Sequence, residues 1–77
     1  MSLIDVYKNS NNTKQAEIYL SKEIFVVRFI SGDKLVGEIE YVNRSFHYVR
    51  DAAENFILGI FKEQDIKKYS KLGIEVF

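Results

Sequence analysis

The sequence predicts one α+β domain, a β-hairpin packed against an amphipathic helix, with short helices flanking the pair. Three observations lead there. Glu23 to Ile30 reads Glu-Ile-Phe-Val-Val-Arg-Phe-Ile, dense in the β-branched and aromatic residues that suit a pleated, half-buried surface. Ser31-Gly32-Asp33-Lys34 supplies turn chemistry, and Leu35 to Val42 then alternates apolar with polar residues. Downstream, Phe46, Val49, Ala52, Ala53, Phe56, Ile57 and Ile60 recur at intervals of three and four, the spacing of a helix with one apolar face. A chain of 77 residues holds one core, so residues 1–77 read as a single domain.

Taken in order, Leu3, Ile4, Val6 and Tyr7 make a short apolar piece that fits either an edge strand or a helical turn. The polar run from Lys8 to Asn12 breaks it. Thr13 then suits a helix N-cap, and a short helix is expected from Lys14 to about Ser21, turning Ala16, Tyr19 and Leu20 inward. The hairpin spans Glu23 to Val42, and two registers are open to it. A three-residue loop puts Phe25, Val27, Phe29, Leu35, Ile39 and Tyr41 on one face, interrupted only by Gly37, and Val26, Arg28, Ile30, Val36, Glu38 and Glu40 on the other. A two- or four-residue loop pairs odd with even positions and sets apolar side chains opposite Glu38 and Glu40. The first is preferred, because it keeps the acids with the arginine and gives the cleaner core face. Either way the second face keeps apolar surface for something to cover.

Ser45 is a good cap for the long helix, which is expected to end near Phe61, its last turn weakened by about 1 kcal/mol at Gly59 relative to alanine. A second helix is expected from Glu63 to Leu72. Glu63 and Lys67 are spaced for an i, i+4 pair, Ile66 and Tyr69 form its inner edge, and Gly73 sits just past its end. Ile74 to Phe77 alternates and would make the hairpin a three-stranded antiparallel sheet.

Composition narrows the function classes. Hydrophobic residues are 47% of the chain and aromatic residues 14%, a globular profile. Cysteine is absent and histidine occurs once, which excludes disulfides, thiolate metal sites and histidine-rich ones; no metal and no cofactor is expected. So small a core gains from self-association, and a homodimer is one expected partner state. Eleven basic residues balance eleven acidic ones, which lowers the expectation of nucleic-acid binding, since phosphate neutralisation supplies most of that affinity. No apolar run is long enough to span a bilayer, and Met1 to Asp5 lacks a signal-peptide pattern, so the expected setting is cytoplasmic, without membrane contact. The glycosylation patterns at Asn11 and Asn43 are then fortuitous.

Candidate chemistry is sparse. His47, Asp51 and Glu54 fall on one polar helix face, where a carboxylate-oriented imidazole has the makings of a general base. No activated nucleophile accompanies them, and a solvated helix face accounts for the same residues, so no catalytic residue is assigned. Gly32, Gly37, Gly59 and Gly73 are scattered, with no phosphate-loop spacing. Lys62, Lys67, Lys68 and Lys71 surround Tyr69 and offer a candidate nucleic-acid contact, although Glu63 and Asp65 interleave them. Glu38, Glu40, Asp51 and Glu54 set an acidic middle against this basic tail. Five tyrosines are generous for the length: Tyr7, Tyr19, Tyr41, Tyr48 and Tyr69 suit a binding surface as well as the rim of a core.

The hairpin-then-helix order from Ile24 to Phe61 resembles, in layout only, compact ββα modules of phage-encoded inhibitors, small linker proteins and some DNA-binding domains, and layout does not carry function. The lysine-, isoleucine- and asparagine-rich composition suits an AT-rich bacterial or phage genome. The reading is therefore a non-enzymatic protein–protein interaction module, a regulatory or adaptor protein that self-associates, with Val26, Arg28, Ile30, Val36, Glu38 and Glu40 as its interface. The alternative is a nucleic-acid-binding domain using the C-terminal lysine-rich helix. An enzymatic reading requires subunits to pool residues across a dimer, with His47 near the symmetry axis.

Overall fold

A computed structural model of the chain describes residues 1–69 and shows an α+β fold. Four strands come first, β1 (Ser2–Lys8), β2 (Lys14–Ser21), β3 (Ile24–Ser31) and β4 (Lys34–Tyr41), followed by helices α1 (Phe46–Ile57) and α2 (Glu63–Tyr69). The strands form an antiparallel meander in sequence order, with β1 and β4 at the edges. Both helices lie on one face, α1 across β1, β2 and β3 and α2 against β4.

The expected helix at 14–21 is strand β2. Ala16 and Ile18 point into the core at 0% exposure, while Gln15, Glu17 and Tyr19 stand on the opposite face. Period two wins over helix propensity because both sides of this segment are paired in the sheet. Thr13, expected as a cap, belongs to the β1–β2 loop instead. There the Asn9 carboxamide oxygen accepts from the amides of Thr13 (2.8 Å) and Lys14 (2.9 Å), and Asn12 takes φ 57°. The apolar piece at the start is edge strand β1, with an irregularity between Leu3 and Asp5.

The β3–β4 hairpin combines parts of both registers. Ser31 pairs with Lys34 across a two-residue turn, with Gly32 at φ 62°, and a register shift after Phe29 restores odd-with-odd pairing: Phe29 with Gly37, Val27 with Ile39, Phe25 with Tyr41. The shift exchanges two side chains. Leu35, expected in the core, is 47% exposed, and Val36, expected on the opposite face, packs against the core. A bulge adds one residue to one strand, so alternation is reset on its far side.

Phe29 sits at the centre of the core, 5.1 Å from the Phe56 ring of α1 and 5.6 Å from Phe61 beyond it, both near edge-on. Ile18, Val27, Ile39, Val49, Ala53 and Ile66 complete this layer. Each large side chain so buried contributes about 1.5–3 kcal/mol.

Helix α1 starts where expected, its first turn capped by Ser45, whose hydroxyl accepts from the Tyr48 amide at 3.2 Å. It ends earlier. Gly59 lies past the helix in the left-handed region (φ 82°), its amide donating to the Phe56 carbonyl while the Ile60 amide donates to Asn55. These two bonds are a Schellman stop, so Gly59 terminates α1 where interior glycine was expected to weaken it. Helix α2 begins at Glu63 as expected; the rest of its expected span to Leu72, the Gly73 cap and the Ile74–Phe77 strand lie outside the described residues. No described helix is long and apolar enough to cross a membrane.

Candidate functional site

Because both helices occupy one face of the sheet, the other is left without a layer over it among the described residues. Its centre is polar. Glu17 and Glu38 lie directly opposite Arg28 from the two neighbouring strands. Arg28 Nε stands 3.3 Å from Glu38 Oε1, an ion pair whose geometry falls short of an aligned hydrogen bond. Partial exposure limits such a pair to about 1 kcal/mol or less. Glu17 accepts on both oxygens, from Gln15 Nε2 at 2.7 Å and from the Tyr19 hydroxyl at 2.8 Å. That bond to Glu17 holds the Tyr19 hydroxyl above its ordinary pKa, with burial adding to it and Arg28 opposing.

Of the residues expected at an interface, Arg28, Ile30, Glu38 and Glu40 share this face, half-buried. Val26 lies between Tyr19 and Glu40 in the ladder and is only 3% exposed, so it presents little surface. Val36 is on the helix side, the consequence of the bulge. Sequence reasoning missed the contribution of β1 and β2. Leu3 and Val6, 52% and 39% exposed, pair with Tyr19 and Glu17 and extend the face with apolar surface. A depression of about 240 Å³ lies at one end, bordered by Met1, Ile24 and Glu40. Reading 14–21 as a strand, from its Ala16, Ile18, Leu20 alternation, is the signal that would have found this half.

The structure does not bring His47 and Asp51 together as an acid–base pair. His47 is exposed, with its Nδ1 3.3 Å from Arg50 Nη2, while Asp51 faces a different neighbourhood. Glu54 lies toward β1, near Tyr7. The Tyr7 hydroxyl is pushed up to about 12, by burial first and then by the Asp5 carboxylate to which it donates. Lys62, Lys67 and Lys68 are exposed, with Glu63 and Asp65 in the first turn of α2 and Lys67 and Lys68 in its last; Lys71 lies outside the described residues.

Three of the five tyrosines converge. A cleft of about 340 Å³ opens between the end of β4, α1 and α2, with Tyr41, Tyr48, Phe61 and Tyr69 among its walls and Asp51 and Asn55 on its α1 side. Tyr41 is 3% exposed and meets Tyr48 edge-on at 6.0 Å. Burial pushes the Tyr41 hydroxyl up strongly, and Tyr48 adds to the effect. Across the rim Tyr48 and Ile60 remain 44% and 65% exposed. The cleft exists because the Gly59 stop turns the chain so that Ile60 and Phe61 face back toward α1.

No protein-family model, no curated protein and no solved structure matches this chain.

Proposed function

We propose that this chain is a small non-enzymatic protein–protein interaction module, a regulatory or adaptor protein that docks through the helix-free face of its sheet and also self-associates there. One observation supports it above the rest. Among the described residues the four-stranded sheet is covered on one side only, and its other side carries exposed Leu3, Val6 and Leu35 beside the Arg28–Glu38 pair. Apolar side chains left in solvent on a sheet face mark a docking surface, and the fixed charges beside them orient what docks there. A cytoplasmic setting belongs to the same reading.

A photoreactive benzoyl-phenylalanine at Ile30 should trap a protein partner or a second copy in lysate, whereas the same group at exposed Gln64 on α2 should not. A chain that light scattering finds monomeric throughout, and that traps nothing from Ile30, overturns the reading. Nucleic-acid binding through Lys62, Lys67, Lys68 and Lys71 is the alternative; it is weakened by Glu63 and Asp65 beside those lysines. It requires a steeply salt-dependent gel shift on generic DNA or RNA, and no shift at low salt removes it.

A further inference from the structure

We infer that the tyrosine cleft between α1, α2 and β4 is a receptor for a lysine or arginine side chain projecting from a partner protein. The alkyl stem lies along Tyr48 and Phe61, and the cationic head reaches Asp51 and Asn55. The walls are aromatic rings, whose faces attract cations held within about 6 Å of the ring centre. Two of them already do so from outside the cleft: the Arg44 guanidinium stands 4.8 Å over Tyr48, and Lys68 Nζ stands 5.9 Å over Tyr69. Neither of these cations lines the cleft.

Charge then selects the occupant. Asp51 is the one acidic residue in the lining, and among the described residues it enters no ion pair. Asn55, one helical turn further, adds a second acceptor on the same side. An apolar side chain would fill the walls and leave the carboxylate unanswered; an acidic one would be repelled by it. A basic side chain satisfies both parts, since its methylenes pack on rings while its head stays at the wet rim. The volume of about 340 Å³ admits one such side chain with room to spare and no larger fold element. The inference rests on the chain being an interaction module, but not on which sheet face docks.

The test uses three short capped peptides, identical except for a central lysine, norleucine or glutamate, titrated into the isotopically labelled full chain and followed by amide and aromatic chemical shifts. Lysine peptide should shift Tyr48, Asp51, Asn55 and Ile60 and leave Arg28 and Ile30 on the sheet still. Norleucine peptide should bind more weakly by on the order of tenfold, and Asp51→Asn should lower lysine affinity by a similar factor while its own amide spectrum shows an intact fold. Equal binding of norleucine makes the cleft merely apolar and overturns the inference, as does the absence of any shift at those four residues. Concentration-dependent shifts there without peptide would make the occupant a second copy, which also overturns it. Because the sheet face is read separately by the Ile30 trap, failure here and failure there are distinguishable.

Discussion

At the residue scale the tyrosines report on the folded state most directly. Tyr7, Tyr19 and Tyr41 are each held above the ordinary value of 10.0, by burial at Tyr7 and Tyr41 and by the Glu17 carboxylate at Tyr19. A hydroxyl harder to ionise when folded binds its proton more tightly in the native state than in the unfolded chain. Its contribution to stability is therefore complete below pH 10 and is lost as the pH rises, for Tyr7 through about 12. Denaturation midpoints should hold steady to pH 10 and fall beyond it, in step with a tyrosinate absorbance that appears late and in more than one phase. A single tyrosinate phase at the ordinary value would contradict the burial assigned to these rings. The fixed roles of Asn9 and Ser45 as loop and cap residues also belong to this scale, and only the second is legible without the fold, because a capping serine before an apolar periodic run has few other readings.

At the scale of elements, two turns decide the architecture, and their chemistry differs. The β2–β3 turn places Lys22 and Glu23 both at positive φ, 49° and 68°, where glycine and asparagine are the usual occupants. This is the physical reason the β2–β3 hairpin escapes sequence reading: nothing at 22–23 announces a turn, and Gln15, Ala16, Glu17 and Leu20 are good helix formers. Replacing Lys22-Glu23 with Asn-Gly should raise stability by about 1 kcal/mol or more, since L-residues other than glycine and asparagine pay that much in the left-handed region. Gly59→Ala should act oppositely, costing about 1 kcal/mol. A Cβ there would lie 3.7 Å from Lys14 Nζ, an ordinary contact, so the loss would come from the backbone alone. Urea denaturation of the two variants measures both, and a stabilised Gly59→Ala protein would contradict the helix stop.

For the molecule as a whole, the sheet, α1 and the segment leading into α2 meet at one ring. Phe29 touches Phe56 of α1 and Phe61 before α2, so its loss loosens the sheet and the helical layer together. Phe29→Ala should cost about 3–5 kcal/mol, comparable to the whole net stability of a domain this small. Circular dichroism should show sheet and helix signals lost in one transition, if the variant folds at all. Separate transitions for sheet and helix would mean that the core is divided, contrary to the contacts of Phe29.

The hairpin from Ile24 to Tyr41, the Ser45-capped helix and its inward Val49, Ala53 and Phe56 were determined by local sequence alone, because periodicity and turn chemistry agree there. The helix-free sheet face was legible in half, from β3 and β4. Its other half, the exchange of Leu35 for Val36 and the gathering of Tyr41, Tyr48 and Tyr69 around one cleft were decided only in three dimensions. The physical reason is shared. A bulge, a positive-φ turn without glycine and a helix stop each move one or two residues locally, yet each redirects every side chain beyond it, and which redirection persists is chosen by what then packs in the core.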